Sequence, residues 1–246
     1  MLVIVLSFYF AVQEKGVEDF CRLPVSGTKV VVGDGPERAV LERRYPHSHR
    51  ITAAGLGPAP AFRAAHPQVT YRQIDADCRL PFPDRSFDVV LSTFGVMFTP
   101  NQEKAATEML RVVKVGGRIG LANWTPESFI GQLFRTIGKY IPPAPGVKSP
   151  ALWGNPQHLE TLFGGKATVG GQMRHFVFRY RSAAHWLEIF RTYYGPVLKA
   201  FAALDPPARN SLEADIDALL ARFNTARDGS FVAPGEYFEA IVTRQG

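Results

Sequence analysis

The chain is poor in cysteine and has no long apolar run. Its 246 residues include two cysteines, Cys21 and Cys78, too few for a disulfide scaffold or a structural zinc site with four cysteines. No apolar stretch approaches the roughly 18 residues that a membrane-spanning helix needs. Hydrophobic residues make up 46% and charged residues 20% of the chain, which excludes intrinsic disorder and allows a sizeable core. This composition predicts a soluble, cytoplasmic, globular protein.

Motifs that would identify several other enzymes are also missing. The chain has no G-x-S-x-G nucleophile elbow and no H-E-x-x-H zinc motif, and Gly165-Lys166 is followed by Ala167 instead of the Ser or Thr of a phosphate loop. The six histidines form no metal-ligand pattern, so no metal is predicted. A nicotinamide site would need G-x-G-x-x-G, but position 38 is Arg38 and the second predicted strand ends in Gly55 without an acid.

The excess of basic residues is modest. The net charge of +6 permits an anionic partner without requiring one. Arginines cluster within residues 43–50 and 174–181, but nucleic-acid binding would need them on one face with aromatic residues between them. A solvated basic surface is therefore the favoured interpretation, and nucleic acid is not a predicted partner.

The first residues form an apolar segment. Residues 1–12 carry no Lys or Arg, the first being Lys15, and no small-residue cleavage motif follows, so a secretory signal is not favoured. This run predicts a buried first helix or strand. We assign residues 1–28 to an N-terminal helical segment.

Strands and helices alternate through the first half of the chain. Predicted strands lie at Lys29–Val32, Arg50–Ala54, Val69–Ile74, Phe87–Thr93 and Gly117–Ala122. Predicted helices lie at Pro36–Arg44 and Asn101–Val113. This order indicates a doubly wound α/β fold with a parallel sheet.

The second half has a different pattern. A strand is predicted at Gln172–Tyr180, helices at Ser182–Tyr194 and Pro206–Phe223, and a last strand at Tyr237–Val242. Two late strands separated by helices indicate an insertion that caps one end of the sheet. We predict a core formed by residues 29–182 and 233–246, with residues 183–232 as the helical cap.

A glycine-rich turn follows the first predicted core strand. Gly33-Asp34-Gly35 lies at a strand-to-helix junction, where glycine permits positive φ and close approach of the backbone to a ligand. In open α/β sheets ligands bind outside the carboxyl ends of the strands. The turn is therefore a candidate binding loop, although an ordinary tight turn would have the same sequence.

The middle of the chain carries a more specific series of motifs. They are Asp75-Ala76-Asp77, Leu80-Pro81-Phe82-Pro83-Asp84, Ser86-Phe87-Asp88-Val89-Val90, the run from Glu108 to Gly117, and Gly120-Leu121-Ala122-Asn123-Trp124. Together they resemble class I S-adenosylmethionine-dependent methyltransferases of the methyltransferase type 11 kind, which includes ubiquinone and menaquinone biosynthesis enzymes. The resemblance covers roughly residues 29–125.

The resemblance implies a fold and a cofactor. The fold is a Rossmann-like sheet of seven strands with the last strand antiparallel, flanked by helices and carrying the helical cap. The cofactor is S-adenosylmethionine, lying across the ends of the first four strands. The positions that the resemblance assigns to cofactor binding are Gly33, Asp34, Gly35, Gly55, Asp75, Asp77, Ser92, Thr93 and Phe94.

Aromatic residues between the sheet and the cap are candidates for a substrate pocket. They are Phe98, Trp124, Phe129, Tyr193 and Tyr194. The alternative is that each belongs to the plain hydrophobic core. We predict a small, largely apolar acceptor; no general base is identifiable, and a His or Tyr of the cap could serve.

Three positions depart from the family's cofactor motif. Val31 stands in place of an acid, Glu37 in place of the third glycine, and Gly55 in place of the acid that grips the ribose. Losing two charged hydrogen-bonding anchors weakens binding by about 3–6 kcal/mol. The degenerate motif leaves a second hypothesis open, a methyltransferase-fold protein that has lost its cofactor and acts as a binding or regulatory module. A third, an RNA-directed methyltransferase, rests only on the positive charge.

Overall fold

The computed structural model describes residues 79–246 in full and, by their backbone, the strands at residues 2–6, 28–32, 51–55 and 69–73. These strands are β1 (Leu2–Leu6), β2 (Thr28–Val32), β3 (Ile51–Gly55) and β4 (Val69–Gln73). The first one corrects the predicted helical segment 1–28 at residues 2–6 only, where the chain forms a strand; residues 7–27 lie outside the described residues. Its sequence, LVIVL, has a β-branched centre and suits a strand paired on both edges.

The main sheet is mixed. Its described strands include β5 (Phe87–Thr93), β6 (Val113–Trp124), β7 (Ala167–Tyr180) and β8 (Phe231–Arg244), in the order β2-β1-β5-β6-β8-β7. The pairs from β2 to β6 are parallel, whereas β8 is antiparallel to β6 and to β7. The expected antiparallel last strand is therefore confirmed. Seven strands in one sheet are not confirmed, since β3 and β4 form a separate parallel pair.

The strands β7 and β8 extend beyond the rest of the sheet. They pair along their whole length, from Ala167–Arg244 to Tyr180–Phe231, but β6 pairs with β8 only as far as Trp124 and Tyr237. Residues 231–236 and 175–180 therefore project past the carboxyl end of β6 as a two-stranded ribbon. Pro234 lies in this ribbon, on the stretch of β8 that does not pair with β6, where a missing backbone N–H is tolerated.

Six helices are described within residues 79–246. They are α1 (Gln102–Val112), α2 (Phe129–Tyr140), α3 (Pro156–Phe163), α4 (Ala183–Tyr193), α5 (Gly195–Ala203) and α6 (Pro206–Phe223). Five begin at a side chain that accepts a backbone N–H of the first turn, the capping arrangement expected from Asn, Ser and Asp at these positions. The capping residues are Asn101, Ser128, Asn155, Ser182 and Asp205.

The inserted helices pack on the ribbon through an aromatic core. Phe129 of α2 contacts Phe178 of β7, Trp186 of α4 and Phe231 of β8, with ring centroids 5.3–5.7 Å apart. Trp186 also stacks on Phe190 at 3.8 Å. The helices α4 to α6 thus lie beside the end of the sheet where β5 and β6 have their carboxyl ends, within the predicted insertion 183–232.

Most predicted elements of the described part are confirmed, with shifted ends. The strands β6, β7 and β8 begin earlier than predicted, at Val113, Ala167 and Phe231, and α2 and α5 were not predicted. The predicted helix Pro36–Arg44 lies outside the described residues. No helix in the described part of the chain is long and apolar enough to cross a bilayer.

Candidate active site

The described part of the site lies at the carboxyl ends of β5 and β6. Gly33, Asp34, Gly35, Asp75 and Asp77 lie outside the described residues. Gly55 is the last residue of β3, where its backbone pairs with Gln73. The cofactor contacts of these six residues therefore stay predictions.

The end of β5 is a tight turn closed by side-chain hydrogen bonds. The buried hydroxyl of Ser92, 1% exposed, accepts the backbone N–H of Val96 at 2.9 Å. The Thr99 hydroxyl donates to the Val96 carbonyl at 2.7 Å. The structure thus gives Ser92 a contact that fixes the turn, whereas Thr93 is half-buried at the strand end. Their contact with a cofactor stays a prediction.

Phe94 has an unusual backbone conformation. Its φ is +51°, in the left-handed region that a bulky residue rarely adopts and that costs about 1–3 kcal/mol. Its N–H nevertheless donates to the Ala122 carbonyl of β6 at 2.8 Å, which continues the pairing of β5 with β6 by one residue. The strain is retained because this hydrogen bond and the packing of the ring hold the conformation.

An aromatic shelf joins the ends of β5 and β6 to the middle of β8. We give this name to Phe94, Trp124 and Tyr237. The ring of Phe94 stacks on Trp124 at 4.1 Å with planes 19° apart, and Tyr237 meets Phe94 edge-on at 5.5 Å and Trp124 at 6.1 Å. Trp124 is almost fully buried, while Phe94 and Tyr237 are half-buried. Burial, and secondarily the nearby Glu239 carboxylate, raises the pKa of Tyr237.

A hydrogen bond behind the shelf ties β8 to the turn after β6. The buried Thr125 hydroxyl donates to the Glu236 carboxylate at 2.9 Å, and the Thr125 N–H donates to the Glu236 carbonyl at 3.2 Å. His175 lies opposite Glu236 on β7, with its Nε2 3.9 Å from a carboxylate oxygen. No sequence pattern marks Thr125, Glu236 or Tyr237 as site residues: Thr125 directly follows β6, and Glu236 and Tyr237 lie within β8.

Two glycines allow the chain to pack tightly behind Trp124. A Cβ on Gly154 would lie 2.2 Å from the Trp124 carbonyl oxygen, and a Cβ on Gly131 would lie 2.2 Å from the Thr125 carbonyl oxygen. Both contacts are with backbone, which cannot rotate away. The end of β6 is therefore fixed against α2 and the short 3-10 turn Pro150–Gly154.

The other predicted pocket residues occupy different surroundings. Phe98 packs edge-on against Phe134 at 5.7 Å, and Phe129 is fully buried in the aromatic core of the insertion. Tyr193 is 48% exposed, whereas Tyr194 is buried, which raises the pKa of its hydroxyl well above the usual value. The structure brings Trp124 together with Phe94, and the assignment of all five to a pocket stays a prediction.

The described residues form no candidate metal site. Over residues 79–246 and the four strands described by their backbone, no group of three or more His, Cys, Asp or Glu side chains could hold a metal ion.

The comparisons with known proteins agree with this fold. A family model described as a methyltransferase domain matches residues 29–121. An uncharacterised protein of Mycobacterium tuberculosis is 33% identical over 186 residues, which cover 70% of this chain and 67% of that protein. The 2-methyl-6-phytyl-1,4-hydroquinone methyltransferase of Synechocystis is 32% identical over 123 residues, covering 48% of this chain and 38% of that enzyme.

Solved structures share the fold. A candidate methyltransferase of Bacillus halodurans has a TM-score of 0.55 at 18% identity, covering 91% of this chain and 95% of that one. This structure shows the shared fold; the matched domain and the relative that is 33% identical show that the chain belongs to the methyltransferase family, whose members are enzymes.

Proposed function

We propose that the protein transfers the methyl group of S-adenosylmethionine to a small, largely apolar molecule. The observation that carries the proposal is the aromatic shelf at the carboxyl ends of β5 and β6, the edge at which open α/β sheets bind ligands. The name of the Synechocystis relative refers to a hydroquinone with a phytyl chain, an apolar acceptor of this kind.

The described residues fit the methyl-bearing end of the cofactor. When bound, S-adenosylmethionine supplies an activated methyl group on a positively charged sulfur. The faces of Phe94 and Trp124 carry partial negative charge, which suits a neighbouring cation. The glycine turn at Gly33 and Gly35 and the acids Asp75 and Asp77 would hold the remainder, as the resemblance implies.

Methyl transfer requires little covalent chemistry from the protein itself. The bound cofactor would supply the methyl group, its sulfur keeping the electron pair of the broken carbon–sulfur bond, and the acceptor would supply the electron pair of the new bond. The acceptor's proton leaves to a base or to water. Residues of the chain bind both reactants, align them and exclude water. Burial raises the pKa of the Tyr194 hydroxyl well above its usual value, which disfavours this residue as the base.

Calorimetry with S-adenosylmethionine and with S-adenosylhomocysteine tests the donor assignment. We expect both to bind, with affinities between micromolar and millimolar because Val31, Glu37 and Gly55 lack the family's anchors. Asp75→Asn and Asp77→Asn test the predicted adenine contact, and at least one should weaken binding. The surface variant Asp228→Asn is the matched control and should leave it unchanged.

Absence of binding at millimolar ligand would overturn the proposal and favour the second hypothesis, a binding or regulatory module. The same titration with RNA checks the third hypothesis, for which we expect no binding. A cytoplasmic location and a small-molecule partner stay predictions.

A further inference from the structure

We propose that the outer edge of β7 pairs with the same strand of a second copy of the chain, so that the sheet continues through a symmetric dimer. β7 is the last strand of the main sheet, and among the described residues no strand lies on its other side. It pairs with β8 along its whole length, Ala167–Tyr180. The backbone N–H and C=O groups that point to the outer edge are therefore left for another strand.

The middle of this edge is open to solvent. Residues 170–175 are all exposed, and a Cβ on Gly170 would meet nothing within 4 Å. The large apolar side chain of Met173 is 46% exposed there. Proteins protect long edges with proline, bulges or short strands, but β7 has 14 residues, no proline and an unbroken register with β8. Such an edge is expected to be covered by another strand when the protein is in solution.

The basic side chains at the centre of β7 are paired with acids of the chain's own sheet. Arg174 lies 3.2 Å from the Glu239 carboxylate, and His175 lies 3.9 Å from the Glu236 carboxylate, both acids being on β8. A charge on an edge strand keeps other strands away by repulsion. Because Glu239 compensates the charge of Arg174, this repulsion is weakened where the edge is most exposed.

The sequence of β7 fits a second copy in the antiparallel register centred on Met173. In this register Met173 faces its own counterpart, and Val169 faces Val177. These three apolar residues are an even number of positions apart, so they lie on one face and are buried together by the pairing. On the other face Gln172 lies opposite Arg174.

This register also avoids electrostatic conflict. No two basic residues of β7 lie directly opposite each other in it, whereas such like-charged pairs destabilise a sheet. Apolar residues therefore meet apolar residues, and polar residues meet polar residues. A strand of another protein would need the same pattern in reverse order, but a second copy has it by symmetry.

Sedimentation equilibrium of the full chain tests the pairing, and we expect a reversible dimer at micromolar concentration. Met173→Arg places two like charges opposite each other and removes a buried apolar contact, so it should weaken the dimer about tenfold. Ile241→Arg is the matched control. Ile241 is 44% exposed but belongs to β8, which has strands on both sides, and the dimer should remain unchanged.

Met173→Cys tests the register without disturbing the charge of the strand. Residues directly opposite each other in an antiparallel pair have Cα atoms about 4.5–5.5 Å apart, a separation that a disulfide spans. Mild oxidation should therefore link two copies through position 173, as detected by peptide mapping without reduction, whereas Ile241→Cys should form no such link. A monomeric wild type, a dimer that Met173→Arg does not weaken, or the absence of the link at position 173 would overturn the inference.

Discussion

The two ends of β5 are stabilised by opposite means. Before the strand begins, Arg111 of α1 donates to the Glu108 and Asp84 carboxylates and to the carbonyls of Leu80 and Phe82, at 2.7–2.9 Å. The Leu80 N–H donates to Glu108 at 2.6 Å. After the strand ends, the chain has a strained Phe94 and an aromatic stack.

This contrast separates an ion-paired end from an aromatic end. At the amino end the charges of Arg111 and Glu108 are paired and largely buried, which fixes the loop before β5 but offers nothing to a ligand. At the carboxyl end half-buried rings remain at the edge of the sheet, whereas a positive φ occurs near both ends, +53° at Arg85 and +51° at Phe94.

The amino end should dominate stability. Arg111→Met removes the donor of five hydrogen bonds and leaves the Glu108 carboxylate, itself largely buried, without its cation. We expect the free energy of unfolding to fall by about 3 kcal/mol, measured by urea denaturation. The matched control, Arg135→Met, removes an exposed ion pair with Glu127 and should change it by less than about 0.5 kcal/mol. Equal losses of unfolding free energy in Arg111→Met and Arg135→Met would show that the buried ion pair does not stabilise the amino end of β5 more than an exposed pair does.

The carboxyl end should be sensitive to added volume. Gly154→Ala places a Cβ 2.2 Å from the Trp124 carbonyl, and we expect a loss of about 2 kcal/mol by overpacking. Gly138→Ala lies in α2 where a Cβ meets nothing within 4 Å, so it should stabilise the protein by about 0.5–1 kcal/mol. Thermal melts of both variants measure this difference. Similar shifts in the same direction would show that the end of β6 is less fixed than the structure indicates.

The smallest effect concerns pH. Burial alone would raise the pKa of Glu108, but hydrogen bonds from Arg111 and from the Leu80 N–H outweigh it and lower the pKa below the usual 4.5. The native state therefore binds this proton less readily than the unfolded chain, so its contribution to stability is present above pH 4.5 and is lost as the pH falls. Glu108→Gln should be less stable at pH 7 and should flatten the stability profile below pH 4.5. If the stability of Glu108→Gln falls below pH 4.5 as steeply as that of the wild type, a group other than Glu108 causes this loss of stability.

Local patterns were enough to predict much of the described fold. The helix at Asn101–Val113 was predicted from its apolar spacing, and the structure has α1 at Gln102–Val112 with Asn101 as its cap. The β7 half of the ribbon lies in the predicted strand Gln172–Tyr180, but the β8 half was missed because Pro234-Gly235 interrupts the pattern of a strand. Pairing with β7 on one edge alone makes this interruption acceptable. The helix α2 was missed because Gly131 and Gly138 lower its propensity, and close packing of Gly131 on Thr125 outweighs this.

Some residues of the candidate site were likewise predicted from the sequence, and others were not. Phe94 and Trp124 were predicted from motifs that lie next to strand ends. The Thr125–Glu236 pair joins residues 111 positions apart, a separation at which no local pattern indicates contact. The left-handed conformation of Phe94 also had no signal, because phenylalanine is not a residue that predicts it.

The length of the projecting ribbon of β7 and β8 sets the distance between the inserted helices and the end of β6. Its six residue pairs beyond β6 correspond to about 20 Å of strand. Adding or deleting two residues in each strand would translate the inserted helices by about 7 Å and keep the same side chains facing them, whereas a change of one would turn every side chain to the opposite face. The distance by which the inserted helices extend past the edge of the sheet can therefore change in steps of two residues. The pairing of β6 with β8 at Trp124 stays the same.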